Sequence, residues 1–313
     1  MPVASVQSLA AADRLVTEEV ALVDRCARGK LALTGAQAAE MLNGQVSNDV
    51  EALAPGDGCY AALLTNKGKM LADLRVLRTD GELWLDTERV TLQVLFDALR
   101  RGVVGWQAQL HKRTLQQALL SLVGPGAAAT AGVEAAWARD EHANREARIG
   151  GAPVVLVATD LGVDVVCAAE DAEPVRAALA APEVPEAAAE VLRVEAGRPR
   201  YGIDVDDATI PQEAGLNERA VSFQKGCYVG QETVARLHYR GKPNRHLRGL
   251  RLSEPVPGGT PLALGEREVG RLGSSVVSPR HGPIGLALVR RQVAVGDELA
   301  AGTATAVVTE LPF

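Results

Sequence analysis

The sequence changes character at Leu247, and that change constrains the architecture. Strand-like runs at 247–252, 268–274, 284–289 and 304–311 follow one another, separated by Pro-Gly turns, with Gly258-Gly259 and Gly296-Asp297 marking two of them. Strands with no helix to cover them close on one another, so a small C-terminal β-barrel is expected over 241–313. Upstream, short strands alternate with helices. Strands are expected at 30–34, 60–64, 69–78, 82–86, 103–111, 116–123, 154–158 and 163–169. Helices are expected from Glu19, at 88–101, 171–181 and 186–196, and in the alanine-rich run after Gly124-Pro125-Gly126. Thr34 is a candidate cap for a helix with the apolar face Ala38, Met41 and Leu42, stopping at Asn43-Gly44. Residues 1–18, alanine-rich and polar, are expected to fray. The alternation fits the α+β class, with two units of split-βαβ type ahead of the barrel.

The run 60–78 reads as a hairpin turning at Thr65, Asn66, Lys67 and Gly68. On its return strand Leu71, Asp73, Arg75 and Leu77 share one face, and Met70, Ala72, Leu74 and Val76 the other. Asp73 and Arg75 mark a face expected to be solvated.

The residues with most chemistry are the octapeptide Lys225, Gly226, Cys227, Tyr228, Val229, Gly230, Gln231 and Glu232. Gly226 and Gly230 permit backbone angles closed to other residues. After Gly230 the spacing turns helical, with Val234 and Leu237 three apart. Two readings of Cys227 stand side by side. It is a small buried apolar residue, or it is a reactive thiol whose pKa Lys225 and the following helix N-terminus lower. Beyond it, residues 236–248 carry Arg236, Arg240, Lys242, Arg245 and Arg248 and no acid. This local positive field suits a carboxylate tail or a nucleic-acid phosphate, or is a solvated linker around Gly241, Lys242, Pro243 and Asn244.

The octapeptide matches, at every fixed position, the K-G-C-[YF]-x-G-Q-E motif of the YgfZ family, tetrahydrofolate-binding proteins related to the aminomethyltransferase (T-protein) of the glycine cleavage system. The resemblance extends to Pro211 and Gln212, and to Val234, Ala235 and Arg236 with Arg240 and Gly241. Val46, Ser47, Asn48, Asp49 and Val50 resemble the family's T-N-D-V. Arg193, Val194, Glu195, Ala196 and Gly197 resemble its R-x-E-A-G, whose glutamate hydrogen-bonds the pterin ring in folate-binding members. The resemblance implies ferredoxin-like split-βαβ units, the first discontinuous: a first domain of 1–50 and 114–240 carrying the motif, an inserted second domain of 51–113, and a barrel of 241–313. It implies tetrahydrofolate or a derivative as cofactor, with Glu195, Asp73, Tyr201, Gln212 and Arg236 as its contacts. A carboxylate at Glu195 accepts the pterin's ring N–H and exocyclic amino group in one fork. The aminomethyltransferases carry an aspartate pair where this chain has Ala72 and Asp73. They also lack the cysteine motif, and this chain lacks the G-W-x-M-P-x-x-Y stretch near their start.

Three functions follow. The resemblance implies a folate-binding accessory protein for assembly or repair of iron–sulfur clusters in a subset of enzymes, including radical enzymes that modify tRNA. The alternative is an aminomethyltransferase-like one-carbon transfer to tetrahydrofolate. The third is RNA binding through 236–248, where only Tyr239 and two histidines are available to stack on bases.

Composition trims this set. A net charge of −6 and a pI near 5.5 argue against a generally basic nucleic-acid binder. Aromatics make up 3% of the chain, so the core must be Leu, Val and Ala. Cys26, Cys59, Cys167 and Cys227 are scattered, as are the histidines, so neither a disulfide framework nor a metal site is expected. No apolar run reaches the length of a membrane span, and no basic-then-apolar leader opens the chain. A cytoplasmic protein with transient partners is expected.

Overall fold

The computed structural model describes residues 6–313. Of the start expected to fray, 1–18, residues 1–5 lie outside the described residues, and from Val6 the chain is instead helix α1 (Val6–Glu18). It continues β1 (Ala21–Asp24), β2 (Gly29–Thr34), α2 (Ala38–Asn43), β3 (Gly58–Leu64), β4 (Met70–Arg78) and β5 (Leu83–Thr87). Then come α3 (Leu92–Gly102), β6 (Gln109–Lys112), β7 (Gln117–Val123), α4 (Ala127–Thr130), β8 (Asn144–Ile149), β9 (Ala152–Thr159) and β10 (Gly162–Ala168). Helices α5 (Ala172–Leu179), α6 (Glu186–Glu195), α7 (Asn217–Ala220) and α8 (Gln231–Arg240) lead to β11 (Arg245–Leu252), β12 (Pro261–Leu264), β13 (Arg267–Ser278), β14 (Gly282–Arg290), β15 (Glu298–Ala301) and β16 (Ala304–Thr309).

Four local expectations are corrected. The segment after Glu19 is a strand, because Ala21, Leu22 and Val23 are all fully buried and pair with β7. Thr34 caps nothing; its hydroxyl bonds His111 Nε2 at 2.8 Å, and the residue at the cap of α2 is Gln37. The alanine-rich helix stops after a single turn, α4. Strand β8 was not foreseen, since its charged sequence hides the alternation; it is an edge strand on β9.

The chain divides into two compact units. The first takes the chain to Leu63, Ala72–Ala189 and Gln224–Val229; the second takes Leu64–Leu71, Glu190–Phe223 and Gly230–Phe313. The first holds most of two five-stranded sheets, in the orders β1-β7-β10-β9-β8 and β3-β4-β5-β2-β6. β2, from the segment expected in the first domain, pairs with β5 and β6 from the segment expected in the second. Leu77 and Trp84 of one sheet pack with Leu119, Val157 and Val166 of the other.

Between these apolar contacts runs a charged layer, which corrects the expectation of a solvated face. Arg75 Nε donates to Asp86 at 3.0 Å and its Nη1 lies 2.7 Å from Asp164, so one guanidinium ties the two sheets together. Arg28 reaches Asp86 at 2.9 Å and Glu88 at 2.5 Å. Asp164 also accepts the Ser121 hydroxyl at 2.5 Å. Burial alone would raise the Asp86 carboxyl, but Arg75 and Arg28 outweigh it and hold it well below the usual carboxylate range.

The second unit contains the closed six-stranded barrel, in the order β11-β14-β13-β12-β15-β16. Its interior is aliphatic, with Leu250, Leu262, Leu299 and Ala306 fully buried. β13 shifts register against β14 between Leu272 and Ser275. A bulge of this kind bends a strand and re-aims its side chains. Here Gly273 lets the strand approach Asp204 so closely that a Cβ would stand 2.4 Å from Asp204 Oδ1.

Candidate functional site

In the first unit, two motifs about 180 residues apart in sequence meet. Lys225 is only 9% exposed, and its ammonium donates to three backbone carbonyls: Asn43, Val46 at 2.8 Å and Asn48 at 2.8 Å. Asn43 ends α2, so the charge satisfies a carbonyl orphaned at a helix C-terminus. All three ammonium donors are thereby used. Lys225 was expected to stand beside the thiol as a free charge; instead it points inward and anchors the motif to the Val46–Asn48 loop. Burial lowers its pKa to about 8, although Asp49 pulls the other way. Its ammonium also lies 5.1 Å from the Tyr228 ring centroid, and Tyr228 is itself buried.

Between these two anchors Gly226 and Cys227 face outward. Cys227 is exposed, while Cys26 and Cys59 are half-buried and Cys167 is buried. Burial pushes the Cys59 thiol up to about 12, against the nearby Lys225 charge, and the Cys167 thiol up to about 11. Burial also raises Cys26. The packing alternative for Cys227 therefore gives way to a surface thiol on a pinned segment. Gly226 has open space around its Cα and no left-handed backbone, so the glycine argument holds only for Gly230.

Asp73 lies in the same unit, in the charged layer. Tyr60 donates its hydroxyl to Asp73 Oδ2 at 2.5 Å. Burial raises the Asp73 carboxyl, against the Tyr60 hydrogen bond and the Arg28 charge. Ala72, where the aminomethyltransferases carry a partner carboxylate, is fully buried on the opposite face.

In the second unit the residues of R-x-E-A-G each have a visible task. Gly197 has φ 68°, and α6 ends in a Schellman turn: Gly197 N–H donates to Val194 O at 2.9 Å and Arg198 N–H to Arg193 O at 3.1 Å. A side chain at Gly197 would meet Leu311 Cβ at 2.8 Å. Arg193 is buried against Asp204 at 3.0 Å, and also donates to Ser274 and to Glu190. Asp204 in turn accepts the Ser274 N–H at 2.7 Å, fixing the end of α6 to the bulged strand β13. Four residues on, on the same face of that strand, Ser278 donates its hydroxyl to Glu195 Oε1 at 2.5 Å. Glu195 is buried, and Arg280 forms an ion pair with its carboxylate. Sequence reasoning missed Asp204, which lies just beyond this run, and Ser274, Ser278 and Arg280, which sit far from any motif.

The remaining expected contacts are also in this unit. Tyr201 donates its hydroxyl to Met70 O at 3.2 Å. Gln212 Oε1 is buried and has no hydrogen-bond partner among the described residues. Gly230, at φ 86°, is the N-cap of α8, and a Cβ there would stand 2.5 Å from Thr65 O. Gln231 and Glu232 open α8, and Arg236 is exposed on it. The basic run is less free than its sequence suggests. Arg245 pairs with Glu213 at 2.7 Å and Arg248 with Glu310 at 3.5 Å. His238 stacks on Phe223 with centroids 3.9 Å apart, leaving Tyr239 edge-on. Among the described residues no group of three or more His, Cys, Asp and Glu side chains could hold a metal ion, and no helix is long and apolar enough to cross a membrane.

Comparison with known proteins adds the following. The family model described as the GCVT N-terminal domain matches residues 5–225, and that of the CAF17 C-terminal β-barrel domain matches 245–312. An aminomethyltransferase of Streptomyces coelicolor is 29% identical over 298 residues, covering 88% of this chain and 79% of that protein. The tRNA-modifying protein YgfZ of Klebsiella pneumoniae is 31% identical over 234 residues, covering 69% of this chain and 66% of that protein. The crystal structure of the glycine cleavage system aminomethyltransferase T from Bartonella henselae shares the fold, with a TM-score of 0.87 at 23% identity over 100% of this chain and 91% of that one.

Proposed function

The chain belongs to the family of the GCVT N-terminal domain, with a C-terminal barrel of the CAF17 type, and on that basis we propose that it is a folate-binding accessory protein for the assembly or repair of iron–sulfur clusters. Its clients are a subset of enzymes, tRNA-modifying radical enzymes among them, and its place is the cytoplasm. The observation that carries this reading is the exposed Cys227 held between the buried anchors Lys225 and Tyr228. A thiol is a soft ligand and a nucleophile. Pinned on both sides, it meets a partner's cluster, as cargo, at small cost in ordering.

Tetrahydrofolate supplies a carrier for one-carbon units. In the second unit, Glu195, Tyr201, Gln212 and Arg236 would hold it. Two observations support the fit. Gln212 offers a buried acceptor that lacks a donor. Glu195 already binds a planar group with adjacent N–H donors, the Arg280 guanidinium.

The test uses a strain deleted for the protein. Wild type restores the affected iron–sulfur enzymes; Cys227→Ser folds and binds folate but does not restore them. Full restoration by Cys227→Ser sinks the reading.

One observation favours an aminomethyltransferase-like reaction: Asp73 is a buried carboxyl with a raised pKa, suited to handling a proton. Ala72 weighs against it, since the second carboxylate is gone. Turnover of an aminomethyl-lipoyl carrier at the rate of a genuine T-protein would establish that reaction; negligible turnover is expected.

A further inference from the structure

The second unit holds a cavity of about 930 Å³, and none of the side chains assigned above to folate lines it. It is lined by β13 and β14 of the barrel, by the 202–213 segment, by Asn244 and Arg245, and by Lys69. Three cations meet at one end. Met70 N–H donates to Thr209 O at 2.9 Å, which sets the neighbouring Lys69 beside Thr209. Arg245 Nη2 donates to Ala208 O at 2.9 Å, and Arg245 stands directly opposite Arg290 in the β11–β14 register. Like charges opposite one another across two strands cost stability. Glu213 answers Arg245 at 2.7 Å, but Lys69 and Arg290 have no ion pair among the described residues. The other lining carboxylate at this end is Asp206, whose Oδ1 already accepts the Ala208 N–H at 3.0 Å and the Thr209 hydroxyl at 2.8 Å. Elsewhere in the cavity Asp204 is paired with Arg193 at 3.0 Å and Glu268 with Arg271 at 3.1 Å. Two unpaired cations against the one carboxylate of Asp206 leave this end net positive.

We propose that this cavity takes a phosphorylated small molecule of nucleotide size, with its phosphate between Lys69 and Arg290. A phosphate group offers oxygens to the Arg290 fork and to the Lys69 ammonium at once. The volume lies in the range of small-molecule sites and far exceeds what inorganic phosphate fills. Gly258, Gly259, Gly270 and Gly273 leave part of the lining as bare backbone. Packing demands two of them: a Cβ at Gly273 would stand 2.4 Å from Asp204 Oδ1, and one at Gly258 2.6 Å from Gly273 O. The consequence is a wall that the body of a ligand can approach closely. Asp206 sets the chemistry beside the phosphate. Its second oxygen accepts a hydrogen bond from a hydroxyl, such as a sugar carries next to its phosphate, and repels a ligand that is anionic along its whole length. The site therefore favours a phosphorylated sugar or nucleoside over an oligocarboxylate.

The experiment is calorimetric titration of the full chain with ADP, with pyrophosphate and with triglutamate. ADP is expected to bind at one site, pyrophosphate more weakly and triglutamate not at all. Lys69→Gln and Arg290→Gln should each weaken ADP binding about tenfold, the worth of a charge-assisted hydrogen bond, and the double variant should abolish it. Lys69 is half-buried and Arg290 exposed, so these variants are expected to keep the melting temperature of wild type. Arg291 is an exposed neighbour that does not line the cavity, and Arg291→Gln should bind ADP as wild type does. Four results overturn the proposal. One is the absence of ADP binding by wild type. Another is an equal loss in Arg291→Gln and Arg290→Gln, which would reduce the effect to diffuse charge. Pyrophosphate bound as tightly as ADP would leave the organic body without a role. Triglutamate bound as tightly as ADP would make the site one for carboxylates.

Discussion

Lys225 shows how one side chain can serve a motif without taking part in its chemistry. Its ammonium satisfies the carbonyls of Asn43, Val46 and Asn48, so its removal strands three buried acceptors. Lys225→Met is expected to cost roughly 2–4 kcal/mol of stability by denaturant unfolding, several such acceptors being involved; a change within error would show that water replaces the lysine freely. Cys227 is the exposed thiol of the four. Timed iodoacetamide labelling of the native protein should modify it first, with Cys59 and Cys167, whose thiols burial pushes up to about 12 and about 11, well behind. Labelling that finds Cys227 the slowest of the four would return it to a packing role. That Lys225 and Cys227 belong to one unusual segment was legible in the sequence. The direction of the lysine was not, because the loop that receives it lies far away along the chain.

At the scale of elements, the start of α8 and the charged layer between the two sheets repay testing. Gly230 combines a φ of 86° with a 2.5 Å approach to Thr65 O, whereas Gly226 has neither constraint. Gly230→Ala should therefore destabilise by about 2 kcal/mol or more, and Gly226→Ala by a few tenths; equal melting temperatures for the two would refute the distinction. The charged layer gives a pH dependence. Arg75 and Arg28 overcome burial to depress the Asp86 carboxyl when folded, so the unfolded chain takes up its proton first. The stability from this group is present above about pH 4, the unfolded carboxyl range, and is lost as the pH falls. Asp86→Asn should lose about 3–5 kcal/mol at neutral pH and show a flatter acid limb, read from urea midpoints across pH; a parallel acid limb would contradict this. The alternation of β4 revealed that Asp73 and Arg75 share a face. It could not reveal that Asp164 of a second sheet lies opposite, and so a face that reads as solvated is buried.

For the whole molecule, the legible parts were those with local signals. The barrel followed from Leu247 onward because turns and period-two runs are written into consecutive residues. Hairpin β3–β4, helix α6 and helix α8 followed for the same reason. The edge strand β8 and the short strand β1 did not, since their conformation is decided by partners elsewhere. The same holds for the candidate site. Glu195 belongs to a recognisable run, but Ser278 and Arg280, which hold its carboxylate, are brought to it only by the closure of the second unit. Folate binding is the property on which the proposed function rests. The most direct measurement is calorimetric titration of the full chain with tetrahydrofolate under anaerobic conditions, alongside Glu195→Ala. One site is expected for wild type, and a loss of about 1.5–3 kcal/mol of binding free energy for the variant, the worth of a charge-assisted fork. No binding by wild type, or equal affinity in the two proteins, would contradict it.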